Sequence, residues 1–135
     1  MNTSRRSFVR GMLAAGTAPI LFNGCATGFL ACRKINIGVI GYGRIAHTMD
    51  VPGAQQFTDR CVLTAVCDYD SVRAGYGRKM IEERYAKLGI VQAVKVYGDY
   101  HEMIADPAID AVLLCIPDHQ HALVATDCLL AGKHI

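Results

Sequence analysis

The sequence predicts an open α/β domain with a doubly wound parallel sheet over residues 32–135, and three observations carry that reading. Short apolar strands alternate with helical stretches from Arg33 onward, an alternation that implies parallel pairing through right-handed crossovers. The strands are almost continuously apolar, as expected where helices cover both faces of a sheet. A glycine turn, Gly41-Tyr42-Gly43, follows the first strand and opens a helix, which is where such sheets receive ligands.

Each element has a local reason. KINIGVI (34–40) is an apolar, β-branched run halted by Gly41, so it reads as a buried strand. A helix should begin near Arg44 and weaken at Pro52-Gly53. CVLTAVC (61–67) is the second strand, stopped by Asp68. SVRAGYGRKMIEERYAKLG is a long helix, with Ser71 placed to cap its start and Gly89 just past its end.

VKVYG is the third strand. Asp99 and Glu102 then have capping-box spacing, and the short helix they open should stop near Asp106-Pro107. AVLLCI (111–116) is the fourth strand. HALVATDCLLAG is a helix closed by Gly132, with Asp118 placed to cap it, and KHI starts a fifth strand. The expected strand order is 3-2-1-4-5, truncated at the start of the fifth strand.

At 135 residues the chain suffices for one compact domain and not for two. Its net charge of +2 is unevenly placed: residues 1–31 hold Arg5, Arg6 and Arg10 and no acid. That leaves 11 basic against 12 acidic side chains and a net of −1 for the body. A near-neutral body argues against nucleic acid or an anionic membrane surface as partner.

The front end reads as an address. Ser4 to Arg10 is S-R-R-S-F-V-R, followed by the weakly apolar GMLAAGTAPILF. This resembles a twin-arginine export signal, so residues 1–31 are set apart from the fold. The resemblance implies delivery to the periplasm by the twin-arginine translocase. That route carries folded proteins, so a cofactor can be loaded before export. Cys25, after L-F-N-G, sits where a lipoprotein would be processed, but Phe22 and Asn23 fit that pattern poorly.

Six cysteines in an exported chain raise the question of disulfides. Cys61 and Cys67 lie at opposite ends of one strand, roughly 20 Å apart and beyond bridging distance. No C-x-x-C occurs, so zinc or dithiol chemistry has no support. The cysteines read instead as small buried hydrophobes.

The turn Gly41-Tyr42-Gly43-Arg44-Ile45-Ala46 matches G-x-G-x-x-A between strand and helix. Gly41 permits the sharp bend, Gly43 leaves room for a pyrophosphate, and Ala46 lets helix and strand pack closely. The first helical amides then face the phosphates. Asp68, ending the second strand, stands where an acid accepts hydrogen bonds from the adenosine ribose and would repel a 2′-phosphate. NAD is therefore the expected cofactor and NADP the alternative, because Arg73 lies close in sequence. S-adenosylmethionine sites place an acid two residues before the first glycine; Val39 stands there.

The fourth strand ends in Ile116-Pro117-Asp118-His119-Gln120-His121, a loop that should border the nicotinamide end. Its two histidines have no third clustered ligand for a metal. His47, His101 and His134 read as structural or solvated, and Tyr69, Tyr76 and Tyr85 as packing residues.

Taken together, IGVIGYGRIA, the AVCDYD strand end, YGDYHEMIADPAIDAVLLCIPDHQH and AGKHI resemble the glucose–fructose oxidoreductase/inositol dehydrogenase/rhizopine-catabolism (Gfo/Idh/MocA) family over about residues 34–135. The resemblance implies a Rossmann-type dinucleotide-binding domain followed by a larger α/β domain for a sugar or polyol, often oligomeric, and reversible hydride transfer to or from nicotinamide. It places Gly41, Gly43, Arg44 and Ile45 at the pyrophosphate turn, Asp68 at the ribose, and Pro117 and His121 beside the nicotinamide half.

In that family the strand starting at Lys133-His134-Ile135 normally runs into an E-K-P or Q-K-P motif whose lysine assists proton transfer. Here the sequence ends first, so no residue is assigned as catalytic acid or base. The expectation is a gene fragment, frameshift product or incomplete record, with AVLLCI left as an exposed apolar edge. The expected role is the NAD-binding portion of an oxidoreductase acting on a sugar- or polyol-like alcohol. The competing roles are an NAD-dependent glycoside hydrolase of the same family and a non-enzymatic binding fragment.

Overall fold

The computed structural model describes residues 33–135. The twin-arginine-type segment and Cys25 lie outside the described residues. Four parallel strands form one sheet: β1 (Ile35–Ile40), β2 (Cys61–Cys67), β3 (Lys95–Tyr97) and β4 (Ala111–Leu114), in the order β3-β2-β1-β4. His134 makes a parallel bridge to Ala111 on the far side of β4, so the chain enters the fifth-strand position. β4 is shorter than AVLLCI: Cys115 still donates its amide to the Ile40 carbonyl at 2.8 Å, but Ile116 and Pro117 turn away into a loop. Apart from the Ala111–His134 bridge, β4 has no ladder partner on its outer side among the described residues, and Leu113 and Leu114 are half-buried.

Adjacent residues of the central strand enter two different cores. Val39 packs with Tyr42, Ala46, Leu63, Val66, Ile81 and Tyr85 on one face. Ile40 packs with Ala65, Met103, Val112, Val124 and Cys128 on the other. The period-2 geometry of a strand sends successive side chains to opposite faces. Helices flank both faces in the doubly wound arrangement, with β1 and β4 adjoining at the point where strand order reverses.

The first helix differs from expectation in an informative way. Arg44 and Ile45 are helical, a π-helical segment Ala46–Asp50 follows, and it runs directly into Val51–Ala54; the last two segments are α1. Pro52 does not break it. The Val51 amide reaches back five residues to the Ala46 carbonyl, a widened turn just ahead of the residue that has no N–H to give.

The remaining helices are α2 (Ser71–Lys87), α3 (Tyr100–Ala105) and α4 (Asp118–Leu130). Two caps shift by one residue from expectation. Asp70, not Ser71, caps α2: its carboxylate accepts the amides of Val72 and Arg73 at 2.9 and 3.3 Å. A carboxylate also suits the positive end of the helix dipole better than a hydroxyl. Pro117 is the N-cap of α4, and Asp118 is its first helical residue. Asp99 caps α3 as expected, accepting the His101 amide at 2.8 Å.

β2 carries an irregularity: Ile37 pairs with Leu63 but Gly38 pairs with Ala65, which leaves Thr64 as a bulge. The Leu63 amide donates to the buried Tyr85 hydroxyl at 2.9 Å. Tyr85 is therefore a packing residue with a second duty. Tyr69 is not one, since it is 88% exposed.

Candidate functional site

Beyond the carboxyl ends of β1, β2 and β4 opens a cleft of about 960 Å³, at the upper end of the range for ligand-sized pockets. Gly41, Gly43, Arg44, Ile45, Asp68, Pro117 and His121 all line it. Three chain segments, far apart in sequence, deliver them because every strand points its carboxyl end the same way.

The turn after β1 is built by Gly41. Its φ is +84°, and a Cβ there would lie 2.6 Å from the Cys115 carbonyl oxygen. No other residue type fits both conditions. Gly43 meets the opposite environment: a methyl group placed on its Cα would find no protein atom within 4 Å. Its missing side chain answers to open space, as a cradle for a close-approaching ligand would require. Ala46 is fully buried against the sheet.

Backbone donors follow the same division. The Gly41 amide is taken by the Cys67 carbonyl at 2.8 Å, and the Tyr42 amide by Asp68 Oδ2 at 2.9 Å. The amides of Gly43, Arg44 and Ile45 have no partner among the described residues. They are the orphan donors that any helix start presents, here set on the wall of a cleft and open to an anion. These residues fit the diphosphate of a dinucleotide.

Asp68 is only 6% exposed. Its Oδ2 holds the Tyr42 amide, and its Oδ1 accepts the Asp70 amide at 2.9 Å with an Arg73 nitrogen 3.2 Å away. Asp68 thus braces the turn it adjoins as well as facing the cleft. The sequence pattern points only to a contact with the ribose and gives no sign of this bracing.

At the β4 side, the His121 ring sets Nε2 2.9 Å from the Ile116 carbonyl. A carbonyl only accepts, so Nε2 carries the hydrogen and Nδ1 is left as the acceptor nitrogen. Among the described residues, no group of three or more His, Cys, Asp or Glu could hold a metal ion.

Several cleft residues carry no motif in the sequence. Cys67 and Cys115 line the cleft, and the rule that sites gather at strand ends would have found both. Burial pushes each thiol up to about 12; the Asp50 carboxylate that accepts the Cys115 S–H at 3.2 Å adds to that rise, as do the charges of Asp68, Asp99 and Glu102 for Cys67. The expectation that all cysteines are buried holds for Cys67 and Cys128, while Cys61 and Cys115 are half-buried. The four described cysteines are free.

Asp50 itself had no signal, because the widened turn of α1 shifts the helix phase. Tyr69, Arg73 and Tyr100 also reach the wall. The Tyr100 hydroxyl donates to Asp127 at 2.7 Å, and that carboxylate is the main cause holding it up at about 12.

Comparison with known proteins is consistent with this geometry. The model of the oxidoreductase family Gfo/Idh/MocA, described as an NAD-binding Rossmann fold, matches residues 35–135. The chain is 39% identical over 101 residues to a myo-inositol 2-dehydrogenase of Thermotoga maritima, covering 75% of this chain and 27% of that protein. It is 26% identical over 128 residues to a glycosyl hydrolase family 109 protein of a Shewanella species (strain ANA-3), covering 90% of this chain and 26% of that one. Among solved structures, the WlbA dehydrogenase of Bordetella pertussis, in complex with NADH and UDP-GlcNAcA, aligns with a TM-score of 0.59 at 26% identity, over 76% of this chain and 27% of that chain. The chain spans about a quarter of the length of the curated relatives it matches.

Proposed function

The chain belongs to the Gfo/Idh/MocA oxidoreductase family, with its NAD-binding Rossmann fold, and from that premise we propose that it forms the cofactor-holding part of an enzyme oxidising or reducing a sugar- or polyol-like alcohol. The observation that carries the reading is the division of labour at the glycine turn. Gly41 and Tyr42 commit their amides inside the fold, while those of Gly43, Arg44 and Ile45 stay unpartnered on the cleft wall. Those three amides would bind the diphosphate, Asp68 the adenosine ribose, and Pro117 and His121 would border the nicotinamide half. Bound nicotinamide supplies the hydride acceptor or donor at its ring. The chain's own part is to orient that ring and to keep the loop after β4 in place through the His121–Ile116 hydrogen bond.

The substrate class follows the relatives that act on inositol and is tested on the whole protein containing this chain, by NADH formation with polyols. A glycoside hydrolase reading has one observation in its favour, the match over 90% of this chain to a family 109 protein. Aryl-glycoside cleavage without net NADH formation would select it. Association into homo-oligomers belongs to the same whole-protein proposal.

For the cofactor, the decisive experiment is titration of the 135-residue chain with NADH, followed by nicotinamide fluorescence. Saturable binding is expected, and its absence at millimolar NADH overturns the reading.

The segment S-R-R-S-F-V-R with its weakly apolar follower supports a further part of the proposal: residues 1–31 send the protein through the twin-arginine translocase to the periplasm. A reporter fused behind residues 1–31 should be exported, and replacing Arg5 and Arg6 by Lys together should stop it. Export that survives the double replacement rejects this part.

A further inference from the structure

Among the described residues, four carboxylates line the cleft: Asp50, Asp68, Asp99 and Asp118. Three of them are answered by the fold. Asp68 accepts the amides of Tyr42 and Asp70, both at 2.9 Å, and Asp99 accepts the amide of His101 at 2.8 Å. Asp118 is exposed to water in the first turn of α4, at the positive end of that helix. Asp50 is the exception. It is half-buried within α1 and pairs with no basic side chain among the described residues. The one donor its carboxylate meets there is the Cys115 thiol, 3.2 Å from Oδ2. Burial keeps that thiol protonated by pushing it up to about 12, so the donor is neutral and weak.

Position gives this carboxylate its meaning. The strand order puts β2 and β4 on opposite sides of β1, so Asp68 and Cys115 mark opposite sides of the glycine turn. The Cys115 carbonyl oxygen packs against Gly41, 2.6 Å from where a Cβ would lie, and Pro117 follows two residues later. Asp50, fixed to Cys115, therefore stands between the turn that would hold the diphosphate and the loop that would border the nicotinamide. An ionised carboxylate with no counter-charge in the fold attracts a cation to the cleft beside it. The oxidised nicotinamide ring carries a positive charge, and the reduced ring carries none.

We propose that Asp50 selects the oxidation state of the bound cofactor, its carboxylate tightening the hold on the positively charged oxidised nicotinamide relative to the neutral reduced one. The inference rests on the dinucleotide reading above. A charge beside the ring tunes the cofactor by acting on one redox state and not on the other. The diphosphate and adenosine are common to both states, so any effect of Asp50 on them cancels in the ratio of the two affinities. A merely structural role would move both affinities together. One charge acting on another in a half-exposed site is worth roughly 3- to 30-fold in affinity.

The test measures dissociation constants of the 135-residue chain for NADH by nicotinamide fluorescence, and for NAD+ and ADP-ribose by displacement of NADH. In Asp50→Asn the thiol keeps an oxygen acceptor and only the charge is removed. The ratio of NAD+ affinity to NADH affinity should fall by roughly 3- to 30-fold. A tenfold fall corresponds to a rise of about 30 mV in the potential of the bound two-electron couple. ADP-ribose, which has no nicotinamide, should follow NADH. Asp50→Glu keeps the charge and should keep most of the ratio.

Asp50→Ala provides a second route, because it also removes the charge and suits a helix interior, and it should shift the ratio in the same direction. An unchanged ratio in either neutral variant overturns the proposal. So does a loss in Asp50→Glu as large as that in Asp50→Asn, or ADP-ribose that follows NAD+ instead of NADH. Wild type that takes neither nucleotide overturns the dinucleotide reading along with it, and so marks the two failures apart.

Discussion

The Asp68 carboxylate and the Tyr42 amide, 26 residues apart in the chain, are joined by a buried hydrogen bond of 2.9 Å. The bond ties the end of β2 to the turn after β1, so the acid proposed to hold the ribose also sets the shape of the turn proposed to hold the diphosphate. On that proposal, recognition of the ribose and of the diphosphate is coupled through one side chain.

Replacing Asp68 by Ala should accordingly do two things. The amides of Tyr42 and Asp70 lose a charged acceptor, which should lower stability by about 2–4 kcal/mol in urea denaturation. NADH affinity should also fall by roughly 10- to 100-fold. An unchanged dissociation constant removes Asp68 from the site, and an unchanged urea midpoint removes it from the turn.

The two glycines of the turn should respond in opposite ways. At Gly41 a methyl group meets both a φ of +84° and the Cys115 carbonyl oxygen at 2.6 Å. Gly41→Ala should cost about 2 kcal/mol or more. At Gly43 a methyl group meets no protein atom within 4 Å. Gly43→Ala should leave stability within about 1 kcal/mol while weakening NADH by roughly tenfold or more. Equal effects of the two substitutions on folding would contradict this division.

Alkaline pH should loosen the cleft. The thiols of Cys67 and Cys115 are pushed from 9.0 up to about 12, chiefly by burial. A group raised in the folded state stabilises it fully below the unfolded value and progressively less as pH climbs toward the folded one. Stability should thus decline from about pH 9 upward, and Cys115→Ala should flatten part of that decline. Urea midpoints at neutral pH and through the alkaline range supply the measurement. Iodoacetamide should label neither thiol appreciably at pH 7, because the thiolate is the reactive form.

Tyr85→Phe isolates the role of the bulge in β2. The substitution keeps the buried ring but strands the Leu63 amide, whose partner is the Tyr85 hydroxyl. A loss of about 1–3 kcal/mol is expected from chemical denaturation. A neutral result would mean that the Leu63 amide finds another acceptor.

What the sequence by itself determined is most of what depends on near neighbours, the caps at Asp70 and Pro117 and the widened turn before Pro52 being the exceptions. The apolar runs of β1 and β2 are nearly those drawn from KINIGVI and CVLTAVC. Gly41 takes the positive φ its place in G-x-G-x-x-A demands. The alternation of strands and helices was enough to set the parallel order, because a right-handed crossover leaves few arrangements open. The seven residues drawn from these motifs all reach one cleft, since strand ends are where chain direction alone must put them.

What only the tertiary structure decided is which atoms those residues commit to one another. Asp68 bracing Tyr42, Tyr85 serving Leu63, Asp50 meeting Cys115 and Arg73 left with a spare Nε–H are all relations between separate elements or across a cap. A hydrogen bond across 22 to 65 residues leaves no periodicity in the chain, and a one-residue shift of helix phase before Pro52 redirects the side chains that follow. Patterning is local and easy to read. The allocation of donors and acceptors is settled only when packing brings the partners within 3 Å or so of each other.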